Sequence, residues 1–174
     1  MDRCGGDRTI ERPAACVRRV VNVMWIERDV RKATAIRPSV SAVIRDARGQ
    51  VLLGRRADSR EWGLPGGNVE IGESVTEAIR REVREETGLE VAVTRLVGVY
   101  SDPAWQVVRY PDGRVIHYVT SLFECRVTGG ALATSPETLE LGYFDPSALP
   151  QDTVPQHRAR IADTVEGHGG PFIR

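Results

Sequence analysis

The stretch GNVEIGESVTEAIRREVREETGL, Gly67 to Leu89, decides how the rest of this chain is read. Its second half is helical by pattern. With Val75 set at zero and about 100° per residue, Ile79 falls near about 40° and Val83 near about 80°, an apolar stripe. On the same wheel Glu86 falls near about 20°, Glu82 near about −20° and Glu85 near about −80°. The solvent side is left to Glu77, Arg80, Arg81 and Arg84. Glu82, Glu85 and Glu86 therefore crowd the face that a soluble helix normally buries. Ser74 followed by Glu77 is a capping box that starts the helix, and Gly88 is a natural stop. Ahead of the cap, Gly63, Pro65, Gly66, Gly67 and Gly72 make a loop whose backbone can approach a ligand closely.

One reading of the acids is a solvated face, since Glu and Arg are both good helix formers. Against it, Glu82 repels Glu85 at i,i+3 and Glu86 at i,i+4, each by roughly 0.2–0.5 kcal/mol. Carboxylates at the margin of a core also lose hydration. A divalent cation removes both objections. Hard oxygen ligands with no His or Cys nearby suit Mg²⁺ or Mn²⁺ rather than zinc.

The segment resembles the signature of Nudix hydrolases. Gly67, Glu73, Arg81, Glu82, Val83, Glu85, Glu86, Gly88 and Leu89 carry the likeness at the family's spacing, and it extends from Ser39 to Pro150. The resemblance implies an α+β Nudix fold, a mixed sheet sandwiched between helices, with a catalytic loop–helix–loop at one end. It implies Mg²⁺- or Mn²⁺-dependent hydrolysis of a nucleoside diphosphate linked to another group. By position, Glu82, Glu85 and Glu86 ligate the metal, and the carbonyl of Gly66 or Gly67 adds a ligand as in similar enzymes. Arg81 belongs to the catalytic set and pairs with Glu73, whose role, like that of Gly67 and Gly88, is mainly structural.

Around that centre the assignments spread. Many relatives place a general base on a late loop, which here offers Glu140, ranked ahead of Glu137; Glu85 is a third choice. Arg55 and Arg56 end a strand near the glycine loop, and Arg suits bidentate contacts to phosphate, although a surface strand end is the alternative. Trp62, Tyr100 and Trp105 are candidates for stacking on base or sugar, with core packing as the default for each. Pro103 lies close to where some ADP-ribose-cleaving relatives carry a proline, which leans the substrate toward nucleotide sugars; triphosphates fit the same chemistry. A Nudix-like module that senses a nucleotide without cutting it is the competing function, and the intact carboxylate set argues against it. An isoprenoid diphosphate isomerase would want a catalytic Cys in the pocket, and Cys125, late in a strand, is not placed for that.

Composition narrows the classes. At 174 residues the chain suits one domain, and 41% hydrophobic with 28% charged residues is ordinary for a globular protein. A formal net charge of zero argues against a nucleic-acid binder that works by wide phosphate neutralisation. Cys4, Cys16 and Cys125 show neither a disulfide framework nor a zinc spacing, consistent with reduced thiols in the cytoplasm. No apolar run approaches the roughly 20 residues of a membrane helix.

In chain order, residues 1–15 read as a disordered leader, with Met24 as an alternative natural start. Val17, Val20, Val21, Met24 and Trp25 recur at helical spacing, predicting an amphipathic helix over 16–35 that lies on the domain edge or forms a dimer contact. Residues 36–150 then form the Nudix domain. Within it, Ser39–Arg45 and Gln50–Arg56 flank Asp46–Gly49 and predict a hairpin. Glu90–Tyr100, Trp105–Tyr110, Arg114–Arg126 and Leu139–Phe144 read as strands, with a Pro111-Asp112-Gly113 turn before the third. Residues 151–174 read as a helix from Pro155 to Glu166 and a tail.

Overall fold

The structure, a computed structural model, describes residues 25–167 and 170–174. In chain order the elements are β1 (Trp25–Ile26), β2 (Ala35–Ile44), β3 (Val51–Arg56), β4 (Trp62–Gly63), α1 (Val75–Thr87), β5 (Leu89–Tyr100), α2 (Pro103–Gln106), β6 (Val107–Arg109), β7 (Val115–Gly130), β8 (Thr138–Phe144), α3 (Pro155–Glu166) and β9 (Phe172–Ile173). A mixed six-stranded sheet runs β1-β6-β7-β5-β9, with β2 parallel to β7. A second, antiparallel sheet orders β4-β3-β8. Mixed sheet and helices together give the α+β architecture.

Two cores follow from strand alternation, because successive side chains of a strand face opposite sides. Val40, Ala42 and Ile44 of β2 and Leu52 of β3 pack against Ala78, Ile79 and Val83 of α1. The opposite positions, Val43, Val51 and Leu53, pack with Leu122 against Ile161 of α3. One helix thus covers each face. Val75 is 38% exposed, so the buried stripe of α1 is Ala78, Ile79, Val83 and Thr87 rather than one beginning at Val75.

Three local expectations are corrected. The first is the hairpin. The Asp46–Gly49 turn forms, with Gly49 N–H bonded to the Asp46 carbonyl, but β2 and β3 share only the Arg45–Val51 bridge before parting into different sheets. Parallel β7 takes the edge of β2, and β8 takes β3. The second is the N-terminal helix. Trp25 and Ile26 are extended and pair with Arg109 and Val108, and Val30–Lys32 is a single 3₁₀ turn capped by Asp29. Unsatisfied edge groups of β6, and Glu27 bonded to Arg109 at 2.6 Å, outweigh a local helical spacing. The part of that expected helix before Trp25 and the expected leader lie outside the described residues, as does His168. The third is the strand expected over Trp105–Tyr110. Its first half is α2, started by Pro103 and capped by the Asp102 carboxylate on Ala104 N–H at 2.9 Å.

Candidate active site

The acidic helix is fixed at both ends. Ser74 and Glu77 form the reciprocal capping box, and Gly88, at φ 73°, ends α1 in the left-handed conformation. The glycine loop is laid along β2: Val40 N–H donates to the Gly67 carbonyl at 2.9 Å and Ala42 N–H to Pro65 at 2.8 Å. At Gly66 only glycine fits, and at Gly67 a larger residue must displace Glu82. A Cβ on Gly66 would meet the Val40 carbonyl at 2.1 Å, and one on Gly67 would meet Glu82 Oε1 at 2.5 Å. Loop and helix are thus pressed into one unit with Glu82 between them.

Arg81 organises the carboxylates. It grips Glu73 through Nε at 3.2 Å and Nη2 at 2.6 Å, and its Nη1 reaches Glu82 at 2.9 Å and Glu85 at 3.2 Å. The solvent role read for Arg81 from the wheel is therefore corrected. A long side chain swings back across the acids and relieves part of their repulsion without a metal. Charge-assisted bonds to Arg81 hold the Glu73 carboxyl below its usual range. Burial does the opposite at Glu82, raising it against the pull of Arg81, and pushes Glu86 up to about 7 despite the 2.8 Å bond from Gly66 N–H.

As they stand, no three acidic, imidazole or thiol groups among the described residues converge tightly enough to hold an ion. Glu82 and Glu85 lean on Arg81, and Glu86 is turned toward Gly66. The donor set nevertheless suits a hard dication. Among the described residues each of the three carboxylates accepts through one oxygen, and the other has no protein partner. Two of them are held at the margin of the core, where a cation would compensate the lost hydration.

A cleft of about 840 Å³ opens beside these acids. Glu82, Glu85, Glu86, Arg81, Gly67, Arg56 and Trp105 all border it. Arg56 is held by Asp58 through two bonds of 3.0 and 2.7 Å. Arg55 is not there: neighbours on a strand face opposite ways, so it points outward to Glu140 at 3.0 Å and Asp152 at 3.7 Å. Glu140 leaves the cleft with it. Glu137, ranked second from sequence, is the late-loop acid that borders the cleft, and its charge raises both Glu82 and Glu86. Trp62 packs edge-on against Phe144 at 4.9 Å. Tyr100 is buried and donates to Asp163 at 2.8 Å. Both are core, the default weighed for them.

Sequence reasoning passed over several lining residues. Gln106, His157 and Arg160 border the cleft, as do Tyr110 and Tyr118, whose hydroxyls bond to each other. His157 Nδ1 accepts from Leu64 N–H at 2.8 Å, and burial keeps its ring neutral, well below the usual imidazole range. The helical reading of Pro155–Glu166 put His157 and Arg160 one turn apart, but nothing local showed which face of α3 met the cleft.

A mixed sheet between helices, with a capped acidic helix clamped under a glycine loop, defines a pyrophosphohydrolase of the Nudix class. The NUDIX domain profile matches residues 35–165, and the chain belongs to the Nudix hydrolase family. It is 32% identical over 136 residues to a MutT-like protein of Streptomyces ambofaciens, covering 78% of this chain and 80% of that one. It is 43% identical over 105 residues to an ADP-ribose pyrophosphatase of Methanocaldococcus jannaschii, covering 59% and 58% of the two chains. Among solved structures, a UDP-X diphosphatase superposes with a TM-score of 0.65 at 27% identity, over 79% of this chain and 66% of that chain. The chain is a Nudix-type enzyme of pyrophosphate hydrolysis. No helix among the described residues is long and apolar enough to cross a membrane.

Proposed function

We propose that this enzyme cleaves the pyrophosphate bond of a nucleoside diphosphate linked to a second group, using Mg²⁺ or Mn²⁺ held by Glu82, Glu85 and Glu86. The observation that carries the reading is the unpartnered oxygen on each of those three carboxylates at the rim of a cleft that also receives Arg56. Bound there, the cation supplies Lewis acidity to the diphosphate oxygens. The Gly67 carbonyl already accepts from Val40, so it joins the set only through its second lone pair.

The chain's own groups do the rest. Arg56, oriented by Asp58, binds a phosphate oxygen and fixes the diphosphate against the acids. Glu137, which borders the cleft beside the acids, takes the proton from the attacking water as the new P–O bond forms. The P–O–P bridge breaks, and the products are a nucleoside monophosphate and the phosphorylated remainder. The relatives' names, ADP-ribose pyrophosphatase and UDP-X diphosphatase, share this bond and differ in the base.

Glu82→Gln and Glu85→Gln test the metal set. Each should lower turnover by at least about a hundredfold, the upper end of what losing an outer-shell partner costs, and should weaken Mn²⁺ binding read by calorimetry. Wild-type rates in both variants would sink the assignment. A substrate panel of ADP-ribose, UDP-sugars, dinucleoside polyphosphates, NADH and triphosphates, read by the phosphate species released, decides between hydrolysis and mere sensing.

A further inference from the structure

Where α3 crosses the sheet, the residues beneath it change character. Val43 and Leu122 belong to the apolar core under Ile161. Further along the same face come Ser41, Ser39 and Thr120, all buried. Parallel pairing sets Ser39 beside Thr120, and their hydroxyls bond at 2.7 Å. Into this hydroxyl patch α3 sends Arg160 and α2 sends Gln106, only 5% and 6% exposed. Both border the main cleft.

Among the described residues Arg160 has no carboxylate partner; its guanidinium lies over the Tyr100 ring, 5.3 Å from the centroid. Its Nη1 donates to Ser41 Oγ at 3.2 Å and its Nη2 to Gln106 Oε1 at 3.1 Å, both neutral acceptors, while its Nε is buried with no partner. Arg45, the other arginine with orphaned buried nitrogens among the described residues, has Glu124 beside it at 3.4 Å. Burial draws the Arg160 guanidinium down to about 10. Keeping such a charge buried costs stability, and an aliphatic side chain there would simply extend the core. The amide beside it is oriented too. Arginine only donates, so the Gln106 oxygen must face Arg160, with Thr120 beside it, and the Gln106 NH₂ has no protein partner among the described residues. Arg160 and the Gln106 NH₂ thus add donors to a floor whose Ser39, Ser41 and Thr120 hydroxyls are already engaged, in a cleft also bordered by Trp105, which is 57% exposed.

We propose that Arg160 and Gln106 read the substrate's base, taking the carbonyl edge of an oxo-base, such as guanine or uracil, and rejecting the amino edge of adenine or cytosine. This deepens the proposed function and rests on its reading of the cleft as a nucleotide site. An amino group directed at the Arg160 guanidinium and the Gln106 NH₂ leaves those donors unpaired, whereas a carbonyl oxygen satisfies them. A neutral NH₂ beside the guanidinium and an exposed indole on the same cleft suit a flat ring better than a tetrahedral phosphate. By this reading UDP-linked compounds and guanine nucleotides are preferred to ADP-ribose.

The test is equilibrium binding of GMP, UMP, AMP and CMP to the full chain, by calorimetry without metal, so that it stands apart from turnover. GMP and UMP should bind at least about tenfold more tightly than AMP and CMP, the low end of one good bidentate base contact. Gln106→Glu pairs with Arg160 and replaces the amide donor by an acceptor, so the ratio should fall to about one or invert. Arg160→Gln should also abolish the preference, and serves if the first variant melts early; if neither folds, the wild-type ratio decides. Equal affinities in the wild type, binding of none of the four at millimolar concentration, or an unchanged ratio in a folded variant would overturn the proposal. So would an Arg160→Gln loss shared equally by all four nucleotides and by inorganic pyrophosphate, since Arg160 would then be a phosphate site. Base preference without hydrolysis would fault the proposed function alone. Hydrolysis with equal efficiency on guanine and adenine nucleotides would fault this inference alone.

Discussion

Arg81 makes five hydrogen bonds, to Glu73, Glu82, Glu85 and the Asn68 carbonyl. Its guanidinium therefore ties two of the three carboxylates proposed for metal, Glu82 and Glu85, to Glu73, which does not border the cleft. Glu73 accepts from Glu70 N–H at 2.7 Å and reaches the other acids through Arg81: a bidentate pair fixes the plane of the fork, and the fork fixes where Glu82 and Glu85 stand. Glu73→Gln loses the charge that anchors the fork. We expect turnover to fall roughly 10–100-fold, the range for an outer-shell partner, with the thermal melt nearly unmoved. Steady-state kinetics beside a melting curve checks this, and an activity loss that tracks unfolding would count against it. The crowding of Glu82 and Glu86 toward the core could be read from the helix wheel, because the wheel reports Cα direction. Arg81 escaped that reading because a long flexible side chain ends far from where its Cα points. The places of Glu140 and Glu137 relative to the cleft were hidden for another reason. Their faces depend on cross-strand register, with Glu140 opposite Arg55, and no local pattern states which strand pairs with β3.

At the scale of elements, the glycine loop and α1 separate fold from function in a way two substitutions can expose. Gly66 has φ 147° and faces the backbone carbonyl of Val40, which cannot step aside. Gly66→Ala should therefore destabilise the protein by about 1–3 kcal/mol, the usual cost of a strained backbone position, read by denaturant melt. Gly67 faces the carboxylate end of Glu82, a mobile group that can move. Gly67→Ala should leave the melt near wild type while turnover collapses, because the new methyl group displaces Glu82. Equal melting losses in both variants would mean that the loop is held by packing alone. This unit was legible because its signals are local: a cap, a stop, glycines and a helical period. The same held for α3, found at Pro155–Glu166 as expected, and for the Pro111-Asp112-Gly113 turn with Gly113 at φ 89°. The β2–β3 hairpin failed because a turn specifies reversal of the chain, not who pairs with whom. Two strands of ten and six residues found better edges in β7 and β8.

For the whole molecule, α3 ties distant parts together. Asp163 accepts from Tyr100 of β5 and, through two bonds of 2.9 Å, from Arg174 beyond β9, and His157 accepts from Leu64 in the glycine loop. His157 makes the assembly sensitive to acid. Its folded-state pKa lies well below the usual value because burial and the nearby charges of Arg160 and Arg56 disfavour a second proton. The unfolded chain binds that proton below about pH 6.5, the folded chain does not, and stability must fall as pH drops through that window. The slope is at most about 1.4 kcal/mol per pH unit for one proton. Glu86 works in the other direction. With its folded pKa raised to about 7, the native state takes up a proton before the unfolded chain does and gains stability over the same range. A bare wild-type profile mixes the two signs, so the informative quantity is a difference. His157→Gln keeps an acceptor for Leu64 N–H and removes the titration, while Glu86 remains in both proteins. Between pH 6.5 and about 5 the wild type should lose stability relative to the variant, and above pH 7 the two should run parallel, as urea melts at half-unit steps would show. Parallel curves throughout would mean that the imidazole charges in place, and the neutral contact to Leu64 would not be what holds α3 to the loop.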